Sequence, residues 1–213
     1  MTSGTEEEQL AQIKEWWQRN GMPLLLGAVL ALALVFGWQF WQKHQLNQAH
    51  DASSLYQQLL NAALDAGEVD SAEVARLGNL LQKEFAGTHY AQYGSLFVAK
   101  VAVESGRLDE AAAELQRVVD KPADATLGEL ARQRLARVLA AQDKAEDALK
   151  LLEGDADKAF AASREELKGD LLVQLGRDDD AHSAYTKAKQ ALSQDAAVGG
   201  LQLKLDDLAR GEA

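Results

Sequence analysis

The sequence predicts an all-α protein built as one membrane-crossing helix followed by a stack of helical hairpins. Three observations predict it. An unbroken apolar run occupies Met22 to Trp38. The remainder is rich in Ala, Leu, Gln, Glu and Lys, with only two prolines and few β-branched clusters, a composition that favours helix. A motif centred on an alanine then recurs three times.

The apolar run comes first. With Gln39, Phe40 and Trp41 it reaches about 20 residues, or ~30 Å of helix, the hydrocarbon thickness of a bilayer. Six leucines (24, 25, 26, 30, 32 and 34), Val29, Val35 and Phe36 supply about −3 to −5 kcal/mol of insertion energy, and no charge interrupts them. Pro23 is expected at the helix start, where its missing N–H removes no hydrogen bond. All four tryptophans flank the run: Trp16 and Trp17 before it, Trp38 and Trp41 at its close. That is an interfacial aromatic belt. A cleaved signal peptide fits worse. Its head would be basic and its apolar stretch ~7–15 residues, whereas this head carries Glu6, Glu7, Glu8 and Glu15 against Lys14 and Arg19. Lys14 and Arg19 on one flank outnumber Lys43 on the other, which favours a cytoplasmic N-terminus and a translocated remainder.

Three segments therefore divide the chain: a head over 1–20, a transmembrane helix over 21–41 and a helical domain over 42–213. In the head, Thr5 and Glu8 have capping-box spacing, and Leu10, Ile13 and Trp17 share one face, as in an interfacial helix. Gly27/Ala31 and Ala33/Gly37 are small pairs that permit close helix packing in a membrane, on two different faces.

The 213 residues include no cysteine, which excludes disulfides and thiolate chemistry. Net charge is −11; the first 41 residues hold four acids and two bases, leaving −9 for the other 172. That excess argues against nucleic acid and anionic lipid as partners.

The repeats follow. Gly106-Arg107-Leu108-Asp109-Glu110-Ala111 precedes Leu115, Asp143-Lys144-Ala145-Glu146-Asp147-Ala148 precedes Leu152, and Gly176-Arg177-Asp178-Asp179-Asp180-Ala181 precedes Tyr185. Twelve residues before each alanine stands a small residue: Ala99, Ala136 and Gly169. This resembles the tetratricopeptide repeat, a helix–turn–helix unit of ~34 residues. In it a small residue on the first helix faces an alanine on the second, the turn residue takes positive φ, and the large residue four places on stacks against the next hairpin. Thr126 with Glu129 and Ser163 with Glu166 have capping-box spacing at the first helices. The usual early aromatic of the first helix is replaced by Ser95, Arg132 and Glu165. Outside the repeats, Leu55, Tyr56, Leu59, Leu60 and Ala63 form a stripe that continues the membrane helix, broken at Gly67 to Asp70. A helix from Ser71 to Phe85 completes a degenerate first hairpin. Ala196 to Ala209 reads as a capping helix with Leu201, Leu205 and Leu208 inward.

Catalytic patterns are lacking. His44, His50, His89 and His182 are scattered, with no HExxH pair, no phosphate-binding glycine loop and no G-x-S-x-G elbow. Asp178-Asp179-Asp180 lacks the alternation of a calcium loop and suits a helix start. No catalytic, cofactor or metal site is expected. Exposed side chains of the first helices, Arg132, Gln133 and Arg137 among them, are candidates for a docking face.

The order of parts is more specific than any one of them: acidic head, single apolar helix, Gly37-Trp38-x-x-Trp41 exit with Lys43-His44-Gln45, then the hairpins. With Arg134-Leu135-Ala136-Arg137-Val138 and Gly169-Asp170-Leu171-Leu172, the chain resembles the YfgM family of bacterial inner-membrane proteins. The resemblance implies a single-pass protein with a periplasmic C-terminal domain. It also implies an ancillary role at the SecYEG translocon beside PpiD, a membrane-anchored folding factor, with emerging polypeptide chains as further partners. It brings no catalytic residues. A scaffold of another envelope assembly has the same fold and anchor, so that alternative stays open.

Overall fold

The computed structural model describes residues 3–64, 69–154, 156–192 and 199–211. Nine helices and no strand occur among them: α1 Ser3–Leu64, α2 Ser71–Phe85, α3 His89–Glu104, α4 Leu108–Asp120, α5 Ala125–Ala141, α6 Ala145–Leu151, α7 Lys158–Gln174, α8 Asp178–Ala191 and α9 Gly199–Gly211. The chain forms two compact units, Met1–His50 and Asp51–Ala213.

The first unit is the bulk of α1. Its helix starts at Ser3, ahead of the expected Thr5 cap; the side chains of Thr5 and Glu8 lie outside the described residues. Pro23 sits inside α1 and not at a helix start, because head and apolar run are one continuous helix.

In the second unit four helices, α2, α3, α5 and α7, start at a side-chain cap. Asp70 accepts from the backbone N–H of Ala72 and Glu73, Thr88 from Ala91, Asp124 from Leu127 and Asp157 from Ala159. The caps of α5 and α7 therefore precede the Thr126 and Ser163 starts expected from spacing. Ser163 instead donates back to the Phe160 carbonyl inside α7. Asp124, extended and two residues ahead of Thr126, and Asp157, six residues ahead of Ser163, take the caps first.

Helices α4, α6 and α8 lack side-chain caps. They follow three near-identical turns. Gly106, Asp143 and Gly176 have φ of +74°, +62° and +69°. The next N–H then reaches back to the carbonyl five residues earlier: Arg107 to Ala102 at 2.8 Å, Lys144 to Leu139 at 2.9 Å, Arg177 to Leu172 at 2.9 Å. This left-handed closure satisfies the carbonyls a helix end leaves open.

From α2 onward the helices pair in sequence, and α3 also touches α5, as α5 touches α7. The first helices of successive hairpins thus lie side by side. Four apolar clusters run along the unit. Residues from α1 (Ala52, Leu59, Ala63), α2 and α3 share the first. The second joins α3, α4 and α5, the third α5, α6 and α7. The last combines Leu172, α8 and the cap α9, with Leu201 and Leu205 buried and Leu208 against them. Residues 196–198 of the expected cap lie outside the described residues.

Close approach depends on missing side chains. A Cβ built on Gly169 would run into the Tyr185 ring. The space over Gly169 is therefore filled by Tyr185 and not, as the spacing suggests, by Ala181. Tyr185 is buried, and its hydroxyl donates to Asp170 at 2.8 Å. Burial first, then the Asp170 bond and charge and the Glu166 charge, push its phenol above the usual tyrosine value. Lys204 of α9 joins this cluster, bonding Glu166 at 2.8 Å and Asp170 at 2.5 Å.

Buried polar groups link consecutive hairpins. Gln92 of α3 donates to the Lys121 carbonyl at 2.7 Å and accepts from Ala123 N–H at 2.8 Å. Glu129 is the same position one repeat later. It receives Arg164 of α7, through Nε at 2.9 Å and also through Nη2. Gln133 and Arg132 add bonds of 2.9 and 3.0 Å. Arg164 and Glu129 are 2% and 5% exposed. Burial alone would raise the Glu129 pKa; the bonds from Arg164 and Gln133, the Arg164 charge and the Arg132 bond outweigh it and hold it below the ordinary value.

Three substitutions test these contacts. Gly169→Ala forces Tyr185 aside and costs about 1–3 kcal/mol, visible as a lowered melting temperature of the full chain by circular dichroism. Arg164→Met strands a buried carboxylate and costs about 3–5 kcal/mol, whereas Arg164→Met with Glu129→Leu recovers most of it. Since the folded pKa of Glu129 lies below its unfolded value, its contribution is complete above that unfolded value, near 4.5. It is lost as pH falls through the folded pKa. Glu129→Gln should flatten that part of the acid-side fall in a series of melts between about pH 6 and pH 3.

Candidate functional site

Two features of the molecule have the form of contact surfaces. One is the face of α1. From Leu24 to Phe40 its large apolar side chains stand in the open, from Leu24, 48% exposed, to Phe40, 77%. Soluble surfaces rarely expose so large an apolar patch, and the segment is long and apolar enough to cross a membrane. Trp16 and Trp17 are exposed ahead of it. Trp38 and Trp41 are exposed after it, with ring centroids 5.4 Å apart. A Cβ on Gly27 or Gly37 would meet nothing, so those two helix faces are open along the segment.

The other is a groove of about 410 Å³ enclosed by α3, α4 and α5. Its floor is aliphatic: Leu96 and Ala99 from α3, Leu115 from α4 and Val138 from α5, all buried. Val103 forms part of the wall and is 42% exposed. Charged groups rim it. On the α3 side Lys100 bonds Glu104 at 2.7 Å. On the α5 side stand Arg134 and Arg137. Partial desolvation of the otherwise exposed Arg134, then the Arg137 charge, lower its hold on its proton.

The repeat residues distribute between floor and core. Ala99 and Leu115 reach the groove, while Ala111 lies buried in the same cluster. Ala136, Ala148 and Leu152 are fully buried in the cluster of α5, α6 and α7. Ala181 and Tyr185 belong to the cluster closed by α9. Gly106 and Gly176 are turn residues and Gly169 the contact for Tyr185.

Of the candidate docking residues, Arg137 lies on the groove, Arg132 is half-buried in its ion pair with Glu129, and Gln133 is buried. Gln133 points inward because Glu129, one turn earlier, needs its amide. Ser95, at the position of the missing aromatic, is wholly buried. It accepts from Gln82 at 2.7 Å and donates to Glu114 at 2.9 Å, so a polar chain fills space an aromatic ring would take. These networks were beyond sequence reasoning. Their one signal was polar residues standing at apolar register positions.

Tyr56, Tyr90, Tyr93 and Phe97 form an aromatic group, with Tyr56 within 5.7–6.1 Å of the other three rings. His89 contacts Tyr93 and lies 3.4 Å from Asp124. Asp178 to Asp180 occupy the first turn of α8, where Arg177 bonds Asp180 at 2.7 Å. Among the described residues no three His, Asp or Glu side chains converge as metal ligands would.

A family model described as a tetratricopeptide repeat-like domain matches residues 14–210, from before the apolar run to within α9. The chain is similar to an ancillary SecYEG translocon subunit of Escherichia coli, at 30% identity over 96% of this chain and 97% of the relative. It is similar to one of Aggregatibacter actinomycetemcomitans at 31%, over 95% and 97%, and to one of Haemophilus influenzae at 29%, over 89% and 91%.

The exposed face of α1 generates a direct test. An arginine at the middle of the run opposes insertion by about 3 kcal/mol, comparable to the favourable total of the run. Leu30→Arg should move much of the chain from the alkali-resistant membrane pellet to the supernatant, while Leu203→Arg, an exposed position of α9, should not.

Proposed function

This chain belongs to the tetratricopeptide repeat-like family of ancillary SecYEG translocon subunits, and from that premise we propose that it is a membrane-anchored, non-enzymatic adaptor of the translocon. Helix α1 tethers it in the inner membrane with the N-terminus cytoplasmic. The hairpin unit faces the periplasm and meets a membrane-anchored folding factor and emerging chains.

One observation carries this reading. The likeness to the relatives spans the apolar helix and the hairpins together, at nearly full length on both sides. The physics supports it. A tether raises the local concentration of the hairpin unit at the membrane without any new contact. Stacked hairpins offer broad surfaces for partner proteins. The groove offers aliphatic side chains and guanidinium groups, which serve binding. The excess of Lys14 and Arg19 over Lys43 supports the orientation.

Copurification of the full-length chain from its native membrane in mild detergent, followed by mass spectrometry, tests the proposal. Translocon subunits and a periplasmic folding factor should be enriched over an unrelated single-pass protein. Enrichment of another envelope machine, with no translocon component, would leave a scaffold of that machine as the account.

A further inference from the structure

We infer that the groove of α3, α4 and α5 is a docking site for an extended peptide segment of a partner protein in which aliphatic and acidic side chains share one face. This rests on the adaptor reading and names the chemistry of one of its contacts.

The groove has the dimensions of a ligand site, and its floor is Leu96, Ala99, Leu115 and Val138. That floor selects an aliphatic side chain. The rim selects the charge beside it. Arg76, Arg107, Arg117, Arg132, Arg164 and Arg177 of the same unit each hold a carboxylate within 4 Å. Arg134 and Arg137 depart from that pattern. Neither has a carboxylate partner among the described residues, and Arg137 makes only a long bond, 3.4 Å, to the Gln133 carbonyl among them. Two like charges one turn apart on a helix face repel each other. In a unit of net charge −10, carboxylates are plentiful, yet these two guanidiniums at the mouth of an apolar groove are left without one.

A peptide carboxylate would supply the missing partner. Guanidinium accepts carboxylate through paired, charge-assisted bonds. In an extended peptide, alternate side chains project to the same side about 7 Å apart. An acid-x-aliphatic-x-acid pattern therefore sets a carboxylate near the arginines while its aliphatic neighbour enters the floor. The overall negative charge of the unit does not prevent this. At physiological salt the field of distant charges is screened beyond about 8 Å, so the local pair decides. The same excess does disfavour a polyanion such as nucleic acid, and a phosphate would leave the aliphatic floor empty.

The test uses the full-length protein in mild-detergent micelles and fluorescence anisotropy. The probe is a fluorescein-labelled, amidated peptide, Gly-Asp-Ser-Leu-Ser-Asp-Ser-Leu-Gly. Saturable binding is expected. It should weaken about tenfold or more when Asn replaces both Asp, or Ser both Leu, and by a similar factor in the Arg134→Gln/Arg137→Gln variant. Lysine at both positions should restore part of it. Melting temperatures of the variants should match the parent; if the double variant fails to fold, Val103→Glu, on the exposed wall, should repel the probe instead.

No binding, equal binding of the Asn peptide, or equal binding by the arginine variants would overturn the inference. So would an Asn peptide that binds as well once its C-terminal carboxylate is free, which would make a chain terminus the occupant. Sedimentation supplies one more outcome: a dimer that the arginine variants dissociate would assign the groove to a second copy. A parent chain that copurifies with the translocon but ignores the probe sinks this inference alone. One that binds the probe but brings no translocon component sinks the adaptor reading.

Discussion

Two helices joined by a short turn cannot cover their own apolar faces, so every hairpin of the Asp51–Ala213 unit depends on the next. The cluster memberships show how this is met. Helix α3 gives Ala91, Val98 and Val101 to one cluster and Leu96, Ala99 and Ala102 to the following one. Helix α7 gives Leu167 and Leu171 to one and Leu172 to the next. The first helix of each hairpin is thus apolar on two sides. The second helices are simpler: α4 buries a single stripe of Ala111, Leu115 and Val118. Series of this kind need an end, and α9 supplies it with Leu201 and Leu205 inward.

Apolar packing alone leaves the offset between hairpins loosely specified, because aliphatic surfaces slide. The polar contacts at one register position remove that freedom. Gln92 reaches the segment before α5, and Glu129 reaches Arg164 on α7, each forward by about one repeat. A slip of one turn would leave a buried carboxylate and a buried guanidinium unpaired. The gain is therefore in specificity of register more than in net stability. Lys204 has the same role for the cap, drawn to Asp170 and Glu166 beside the Tyr185 ring.

Function follows from the same economy of surface. Side chains used for stacking are withdrawn from solvent, Gln133 included, and what remains exposed is available to others. On α1 that remainder is an apolar face with tryptophans at both ends, suited to lipid. On the hairpins it is the groove, where the clustered floor comes close to the surface and Arg134 and Arg137 have no ion pair among the described residues. On the adaptor reading proposed above, the first is the tether and the second the contact.

Much of this was legible in the sequence for a local reason. Hydrophobic length identifies the apolar helix, and the composition and repeat spacing identify helical hairpins, since each depends on residues near in the chain. The break at Asp70 and the helix from Ser71 to Phe85 were readable in the same way. Helix starts were less so. Asp124 and Asp157 won over Thr126 and Ser163 because competing caps differ only in backbone geometry. Pro23 lies inside α1 because the apolar run simply continues the helix of the head. The Glu129–Arg164 pair, the buried Ser95 chain and the groove were decided only in three dimensions. Their hydrogen-bond partners are 13 to 35 residues apart, and two-sided helices carry no single stripe to reveal which residues face which neighbour. The sequence determined that this chain is a long apolar helix joined to hairpins; the packing of hairpin on hairpin decided which charges are neutralised inside and which are left at the surface.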